Sequence, residues 1–445
     1  MTCLCLTQTR SAYSQNQSSE KPNIIVILAD DLGYGDTSVY GSDVQTPNID
    51  KLASEGLRFT DFHSNGAVCS PTRAALLTGR YQQRAGIENA LGESAKGLGS
   101  QNNVKTIANY LKSAGYQTAL IGKWHLGYNQ EQNPIHFGFD EFVGMLHGAT
   151  DYHSHVNTFG RFDWWHNEKP VNEDGYVTDL ITSQSVDFIE EWKDEPFFLM
   201  VSHLAIHFPW QTPDDEPHRV EGNRYRANGD EPLSRHGQHS PKDYQKVVEV
   251  MIKELDKSVG QIVDKIYDAQ LQNETLILFL SDNGGILEQS GYPVSSNGIL
   301  RGAKHSLYEG GHRIPAIVWW PGMIEAGRVS NETAMTMDIL PTFLDILKIP
   351  VPNNNSPNRL DGISISPLIL DKKRLPARTF FWKKGDEVAV RSGDWKLYMP
   401  GDQPQAELYN LDDSVREKQN LSQQYPHIVK DLQYQSEQWI NDVTQ

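Results

Sequence analysis

The chain has 445 residues, of which 38% are hydrophobic and 22% are charged, and its formal net charge is −17. That composition is typical of a folded globular protein, and the length is sufficient for two domains. The acidic balance excludes nucleic-acid binding by bulk electrostatics, and any polyanion would be repelled at long range. An anion site would therefore need a local cluster of positive charge. No apolar run approaches the roughly 20 residues that span a bilayer, so we expect no membrane span.

Residues 1–21 predict a leader or a disordered tail ahead of the fold. A short apolar patch is followed there by a stretch rich in Gln, Ser and Asn. Two interpretations stay open: the end of an export signal, which would place the protein in the periplasm or outside the cell, or a disordered cytoplasmic tail. The three cysteines are Cys3 and Cys5 in this segment and Cys69 beyond it, and their spacing predicts no set of disulfide bonds.

From residue 23 onward, short apolar runs alternate with helical patterns, which favours an α/β fold with a mostly parallel sheet. Buried strands are predicted over residues 23–29, 118–122, 197–201 and 275–280. Helices are predicted over residues 47–56, 106–113, 177–193 and 243–270.

A Pro- and Asn-rich stretch at 347–358 predicts a domain boundary, with a first domain over 22–350 and a smaller one over 351–445. The second domain has the pattern of an antiparallel sheet followed by one helix. Its predicted elements are strands at 379–383, 387–391, 395–399 and 407–409 and a helix at 425–443.

Each of the four predicted buried strands runs directly into polar residues. The residues that follow them are Asp30 and Asp31, Lys123 and His125, His203 and His207, and Asp282 and Asn283. Sites in open parallel sheets form at the carboxyl ends of the strands, so we expect these side chains to meet at one edge. The sequence therefore predicts a site that combines oxygen ligands, a lysine and histidines.

The segment Cys69-Ser70-Pro71-Thr72-Arg73 predicts a helix that begins near Cys69. Pro71 suits a first helical turn, and Ser70 suits a cap. Cys69 would then lie at a helix N-terminus, where backbone N–H groups and the helix dipole favour an anion. Arg73, one turn further on, could point back to the same site.

Cys-x-Pro-Thr-Arg followed by a small apolar run and Thr-Gly-Arg resembles the signature of the formylglycine-dependent type I sulfatases, arylsulfatase-like members of the alkaline phosphatase superfamily. Further landmarks of that family occur in order: 23–36, which ends in Ala-Asp-Asp-Leu-Gly-Tyr-Gly-Asp, Thr-Pro-Asn-Ile-Asp at 46–50, Gly-Lys-Trp-His-Leu-Gly at 122–127, Ser-Asp-Asn-Gly-Gly at 281–285, Gly-Ala-Lys-His-Ser-Leu-Tyr-Glu-Gly-Gly-His-Arg-Ile-Pro at 302–315, and Gly-Asp-Trp-Lys-Leu at 393–397. The resemblance covers roughly residues 22–422 and extends most closely to bacterial carbohydrate sulfatases.

The resemblance implies an alkaline-phosphatase-like sheet flanked by helices, with a C-terminal α+β subdomain. It also implies bound Ca²⁺ and a formylglycine made from Cys69 by a separate maturation enzyme. Asp30, Asp31, Asp282 and Asn283 resemble the calcium ligands, with Cys69 also near the metal. Arg73, Lys123 and Lys304 resemble the groups that hold the formylglycine hydrate and the sulfate oxygens. His125 resembles the base that collapses the intermediate, and His207 resembles the histidine near the leaving oxygen, with His203 as a neighbouring support.

The implied reaction is hydrolysis of a sulfate ester to an alcohol and inorganic sulfate. Segments 151–155 and 162–167 resemble relatives that act on sulfated oligosaccharides or polysaccharides, and their aromatic rings could stack on sugar faces. The candidate substrate contacts are His147, His153, His155, Arg161 and His166. The chain departs from many relatives at Gly148, Ala149 and Thr150 and at His312, where we expect selectivity to differ.

Two alternatives stay open at this point. A phosphomonoester or phosphonate hydrolase of the same superfamily would share the fold, although such enzymes often use a second metal or a Ser or Thr nucleophile. A non-catalytic glycan-binding relative would keep Cys69 as an unmodified thiol.

Overall fold

The computed structural model describes residues 21–99, 104–224, 235–353, 355–401 and 405–444. Cys3, Cys5 and all of the predicted leader except Lys21 lie outside these residues, so leader and export remain predictions.

One large mixed sheet organises the first three quarters of the chain. Its strands are β1 (Asn23–Ala29), β2 (Leu57–His63), β3 (Gln117–Lys123), β4 (Glu141–Met145), β5 (Trp165–His166), β6 (Lys169–Pro170), β7 (Phe197–Ser202), β8 (Thr275–Ser281), β11 (Arg313–Trp319), β12 (Arg328–Ser330) and β13 (Ala334–Met335). Strands β9 (Glu288–Gln289) and β10 (Tyr292–Pro293) form a separate small hairpin between β8 and β11. The order is β12-β2-β11-β8-β1-β7-β3-β4-β5-β6, with β13 also paired to β2. The strands from β8 through β4 are parallel to one another, whereas β11 is antiparallel to both of its neighbours. All four predicted buried strands are confirmed, as β1, β3, β7 and β8.

Helices cover both faces of this sheet. They are α1 (Pro47–Glu55), α2 (Cys69–Thr78), α3 (Ile107–Ser113), α4 (Val177–Trp192), α5 (Tyr244–Asp268), α6 (Glu309–His312), α7 (Ile339–Ile346) and α8 (Ser366–Asp371). Alternate side chains of β1 enter two separate cores, Ile25 and Ile27 with α1, α4 and α5, and Ile24 and Val26 with α2, α3, α7 and α8. Burial on both faces explains why the parallel strands are continuous apolar runs rather than alternating ones. Among the described helices, none combines the length and apolarity needed to cross a bilayer.

The predicted C-terminal sheet and helix are also confirmed. Strands β14 (Thr379–Lys384), β15 (Glu387–Ser392), β16 (Trp395–Met399) and β17 (Glu407–Asn410) form an antiparallel sheet, and α9 (Pro426–Val443) packs against β15 and β16. Helix α8 lies beyond residue 350 but packs in the core beneath the large sheet. The domain boundary at 350 therefore remains a prediction.

A buried network of charged side chains joins the small sheet to the large one. Lys396 on β16 places its Nζ 2.9 Å from Glu309 and 2.8 Å from Glu417, and all three residues are buried. Arg391 on β15 forms two contacts of 2.8 Å with Asp61 on β2. Because removing one partner of a buried ion pair leaves an uncompensated charge, this network ties the two sheets together.

His312 belongs to the same network, which corrects the expectation that it influences selectivity. Its Nδ1 lies 2.9 Å from Nδ1 of His63, and its ring stacks on Trp382 with the centroids 4.2 Å apart. The side chain is fully buried, and its ring nitrogens contact His63 and Lys396 of this network, so it is used to join the two sheets.

We expect Lys396→Met to lower the free energy of unfolding by about 3–5 kcal/mol, because Glu309 and Glu417 would lose their shared buried cation. Urea unfolding followed by circular dichroism measures this loss. The matched control is Lys372→Met, which removes an exposed lysine paired with exposed Glu325 and should leave the midpoint near that of the unaltered protein. An equal midpoint for the two variants would contradict the role assigned to Lys396.

Candidate active site

Four adjacent strands deliver their terminal residues to one edge of the large sheet. Strands β8, β1, β7 and β3 are consecutive in the sheet and parallel. Asp30 and Asp31 follow β1, Asp282 follows β8, and Lys123 ends β3. The structure therefore brings these carboxylates and the lysine together, as the geometry of parallel sheets requires.

Three carboxylates at this edge are opposed by three cations. Lys123 Nζ contacts Asp30, and Lys304 Nζ lies 2.6 Å from Asp31 Oδ1. Arg73 places Nε and Nη2 each 3.0 Å from Asp282 Oδ2. The side chains of all six residues are almost wholly buried: Asp30, Asp31, Asp282, Arg73, Lys123 and Lys304. Their formal charges sum to zero, so burial is compensated within the cluster.

Cys69 is the first residue of α2 and faces this cluster. Its Sγ lies 3.3 Å from Asp30 Oδ1 and 4.0 Å from Asp31 Oδ1. Burial raises the pKa of the thiol, and the charges of Asp282 and Asp30 raise it further. Arg73 lies four residues later on the same helical face, which explains how it reaches the same cluster.

Ser70 does not cap α2, contrary to expectation. The residue before the helix is Val68, in an extended conformation, and no side chain caps the helix. The hydroxyl of Ser70 instead donates to the carbonyl of His125 and accepts from the N–H of Leu91. Every residue of α2 is buried, so its position is fixed by packing on all sides.

The cluster has the donors that a hard divalent cation prefers. Asn283 donates its amide N–H to Asp31 Oδ1 at 2.8 Å, whereas its own Oδ1 is buried and has no hydrogen-bond partner among the described residues. Burial, together with the charge of Asp282, raises the pKa of Asp30 to about 7. A bound cation would stabilise that carboxylate and satisfy the amide oxygen, so the residues fit a metal with oxygen ligands.

Two histidines at the site each keep one ring nitrogen without a hydrogen-bond partner among the described residues. Nδ1 of His207 lies 2.6 Å from the Phe208 carbonyl, which can only accept, so Nδ1 carries the proton and Nε2 is free, 3.7 Å from Asp31 Oδ2. Nε2 of His125 contacts the Leu91 carbonyl at 3.4 Å, and its Nδ1 has no partner in the described chain. Burial lowers the pKa of both rings well below the usual value. The charge of Lys123 lowers the pKa of both further, and that of Lys304 also lowers the pKa of His207.

His203 lies apart from this group. Its Nε2 contacts the hydroxyl of Ser258 on α5 at 3.2 Å. Of the two histidines that follow β7, the structure therefore brings His207 and not His203 to the carboxylates.

A cavity of roughly 260 Å³ opens above Cys69. Its lining includes His125, His207 and Lys304, and the loops add His147, Phe159, Phe208 and Arg235. No Asp or Glu occurs among the described residues that line it. The local positive charge that an anion site needs is therefore present, although the whole chain is acidic.

Of the five histidines and arginines predicted as substrate contacts, His147 alone lines this cavity. His153 bonds the Thr212 carbonyl, and His155, which is buried, bonds the Gly175 carbonyl. His166 pairs with Glu173. These three rings are used to hold their own loops, which is the physical reason that they do not reach the cavity.

Arg161 occupies a separate surface pocket, which Phe162 and Trp165 also line, and it pairs with Glu93. Trp164 is fully buried, and its indole N–H donates to Glu173. The aromatic rings in the cavity are those of Phe159 and Phe208, outside the segment expected to stack on sugar.

Sequence reasoning missed two residues of the site. Ser202, the last residue of β7, accepts from Arg73 Nη1 at 2.7 Å and donates to the Lys123 carbonyl at 2.6 Å. Its place at a strand end is the signal that could have found it. Arg235 lies in the long loop after β7, where no pattern marks it.

Comparisons with known proteins agree with this geometry. The Sulfatase family model matches residues 22–349, and the model named N-sulphoglucosamine sulphohydrolase, C-terminal, matches residues 303–442. An N-acetylgalactosamine-6-sulfatase from Sus scrofa is 31% identical over 417 residues, which are 89% of this chain and 75% of that protein. A PsFucS1 sulfatase from Pseudoalteromonas sp. superposes with a TM-score of 0.76 at 27% identity, covering 95% of this chain and 90% of its own. Ps i-CgsB in complex with k-i-k-neocarrahexaose superposes with a TM-score of 0.81 at 29% identity, covering 94% and 92%.

Fold, strand-end cluster and comparisons together define an enzyme of the sulfuric ester hydrolase class. The chain belongs to the sulfatase family.

The ring of His125 occupies the space that a side chain at residue 148 would fill. A Cβ added at Gly148 would lie 2.3 Å from Cε1 and 2.4 Å from Nε2 of His125. We expect Gly148→Ala to displace that ring and to lower kcat by roughly 10- to 100-fold, as small misplacements of a reacting group do.

The matched control is Gly92→Ala, in the same cavity wall, where an added Cβ meets nothing within 4 Å. The measurement is kcat for sulfate release by both variants after conversion of Cys69 has been confirmed by peptide mass. Equal kcat values would show that the position of the His125 ring does not limit turnover.

Proposed function

We propose that this enzyme hydrolyses a sulfate ester on a carbohydrate, with residue 69, after oxidation of Cys69 to formylglycine, as the nucleophile. The observation that carries the proposal is the meeting of Cys69, at the start of a buried helix, with three carboxylates and three cations. An uncharged thiol needs no such surroundings, whereas an anionic ester and a metal do.

The carbohydrate part of the proposal rests on the relatives. One is named for N-acetylgalactosamine 6-sulfate, and a similar structure holds a neocarrahexaose. The cavity, with two aromatic side chains and several hydrogen-bonding groups, suits a sugar ring.

We propose Ca²⁺ as the metal, held by Asp30, Asp31, Asp282 and Asn283. When bound, it would supply positive charge that stabilises the sulfate oxygens and the oxygen nucleophile. The three cations already neutralise the three carboxylates, so a divalent ion would give the cluster a net charge of about +2, which favours an anionic ester.

Formylglycine supplies, as its hydrate, an oxygen nucleophile and a second hydroxyl that allows sulfate to leave. Arg73 and Lys123 belong to the charged cluster that Cys69 faces, and from there we propose that their N–H groups hold that hydrate and the sulfate oxygens. Their position is fixed because Arg73 also donates to the Lys123 carbonyl at 3.0 Å.

We assign the proton transfers from the hydrogen bonds of the three remaining groups. His125, with a free Nδ1, can accept a proton from a hydroxyl at residue 69. Lys304 carries protons as an ammonium group and can donate to the departing alkoxide. His207 offers a lone pair at Nε2, so it can accept a hydrogen bond but cannot donate one there.

The alternative activity, hydrolysis of a phosphate monoester by the same fold, has less support. The lysines contact Asp30 and Asp31, in the positions where a second metal would need those oxygens. A phosphate ester also carries more negative charge, which such enzymes often balance with a second metal. Turnover of nitrophenyl phosphate faster than nitrophenyl sulfate would favour this alternative.

The first test is sulfate release from a panel of defined sulfated oligosaccharides, N-acetylgalactosamine 6-sulfate included. The protein is co-expressed with the maturation enzyme, and Cys69→Ala is the control. We expect release from at least one member and none by the control, because Cys69→Ala removes the nucleophile. No release from any member, with formylglycine at position 69 verified by peptide mass, would refute the proposal.

The metal assignment has a test that does not depend on turnover. After removal of metal with a chelator, calorimetric titration with CaCl₂ should show binding to the unaltered protein and at least roughly tenfold weaker binding to Asn283→Ala, which lacks one oxygen ligand. The control Asn331→Ala changes an exposed amide outside the site and should bind as the unaltered protein does. Equal affinity in all three proteins would remove Asn283 from the ligand set.

A further inference from the structure

The wall of the active-site cavity carries a cation that the ion-pair cluster does not use. Arg73, Lys123 and Lys304 each contact a carboxylate, and those contacts account for the three charges beneath and beside Cys69. Arg235, which also lines the cavity, forms no ion pair with any Asp or Glu of the described chain. Among the described residues, its charge is therefore unpaired, and it faces the cavity that a substrate would enter.

The contacts of Arg235 hold its side chain at the wall without neutralising it. Its guanidinium lies 4.5 Å from the centroid of the Phe208 ring, and its backbone carbonyl accepts from Arg219 Nη2 at 3.0 Å. Nε is buried and has no hydrogen-bond partner among the described residues. Burial lowers the pKa of Arg235. A planar guanidinium that is held on an aromatic ring, with a buried N–H unpaired among the described residues, is well suited to bind an anion.

The charge of Arg235 acts on two histidines of the cavity lining. Its charge contributes to lowering the pKa of His147 to about 3 and of His305 to about 4, although burial is the larger cause in each ring. Both histidines line the same cavity. Arg235 is therefore part of the cavity lining, close enough to these two rings for its charge to act on them.

We infer that Arg235 binds a second anionic group of the substrate, a carboxylate or a further sulfate close to the sulfate that is cleaved. The inference rests on the proposed function and narrows its substrate class to sugars with two neighbouring negative charges. A neutral sugar would leave this buried donor unpaired, which costs free energy, whereas an anion forms a charge-assisted hydrogen bond with it.

The test is a binding measurement on Cys69→Ser protein, which keeps the cavity and cannot turn over. Three probes are titrated by calorimetry: N-acetylgalactosamine 6-sulfate, its 4,6-disulfate, and the 6-sulfate linked to a uronic acid. We expect at least one of the doubly charged probes to bind roughly 10- to 100-fold more tightly than the first, as a hydrogen bond to a charged group predicts. Which one does so distinguishes a second sulfate from a carboxylate.

Arg235→Gln, made in the same background, should bring that affinity ratio to near one, and Arg235→Lys should keep part of it. Arg416→Gln, at an exposed position outside the cavity, should leave the ratio unchanged. If Arg235→Gln weakens the binding of all three probes equally, Arg235 holds the cleaved sulfate or only shapes the cavity. If the Cys69→Ser protein binds the singly and doubly charged probes equally well, Arg235 does not select a second anionic group. Either result overturns the inference. Sulfate release by converted protein tests the proposed function separately, so the two can fail independently.

Discussion

The arrangement of the whole molecule depends on burying three carboxylates at one point with three cations beside them. Charges of this kind are costly to remove from water unless each is paired, and here every pair draws on a different part of the chain. Arg73 comes from a helix that is buried on all sides, Lys123 from the end of a central strand, and Lys304 from a loop late in the sequence. The packing of α2 and the order of the strands are therefore requirements of the site as much as of the core.

Much of this could be predicted because the information is local. A strand buried on both faces is a continuous apolar run, and parallel neighbours place their ends together whatever the loops do. The orientation of a side chain in a long loop, by contrast, depends on contacts with distant segments and not on the local sequence. His153 and His155 were predicted to contact a sugar, yet each forms a hydrogen bond with a carbonyl of another loop segment. Nothing in the sequence distinguishes a histidine ring that faces the protein interior from one that faces a cavity. Arg235 was missed for the same reason.

The C-terminal sheet could be predicted as a unit, but its attachment could not. The pairs that join it to the large sheet are more than 80 residues apart in sequence, as for Lys396 with Glu309, or more than 300, as for Arg391 with Asp61. The sheet also reaches the site itself, since Lys384 donates to the carbonyl of His305, next to Lys304. The C-terminal sheet thus holds in place the loop that carries one of the three cations.

The contrast between the acidic chain and its cationic cavity has a consequence for the medium in which the enzyme works. An anionic substrate approaches against the field of 17 excess negative charges and meets attraction only close to the cavity. Dissolved salt screens charges beyond a Debye length of about 8 Å at physiological ionic strength, while contacts inside a buried site are screened much less. Rising ionic strength would then weaken the repulsion before it weakens the binding contacts. The rate at which an anionic substrate associates with such an enzyme would rise with ionic strength, whereas ordinary electrostatic steering weakens as ionic strength rises.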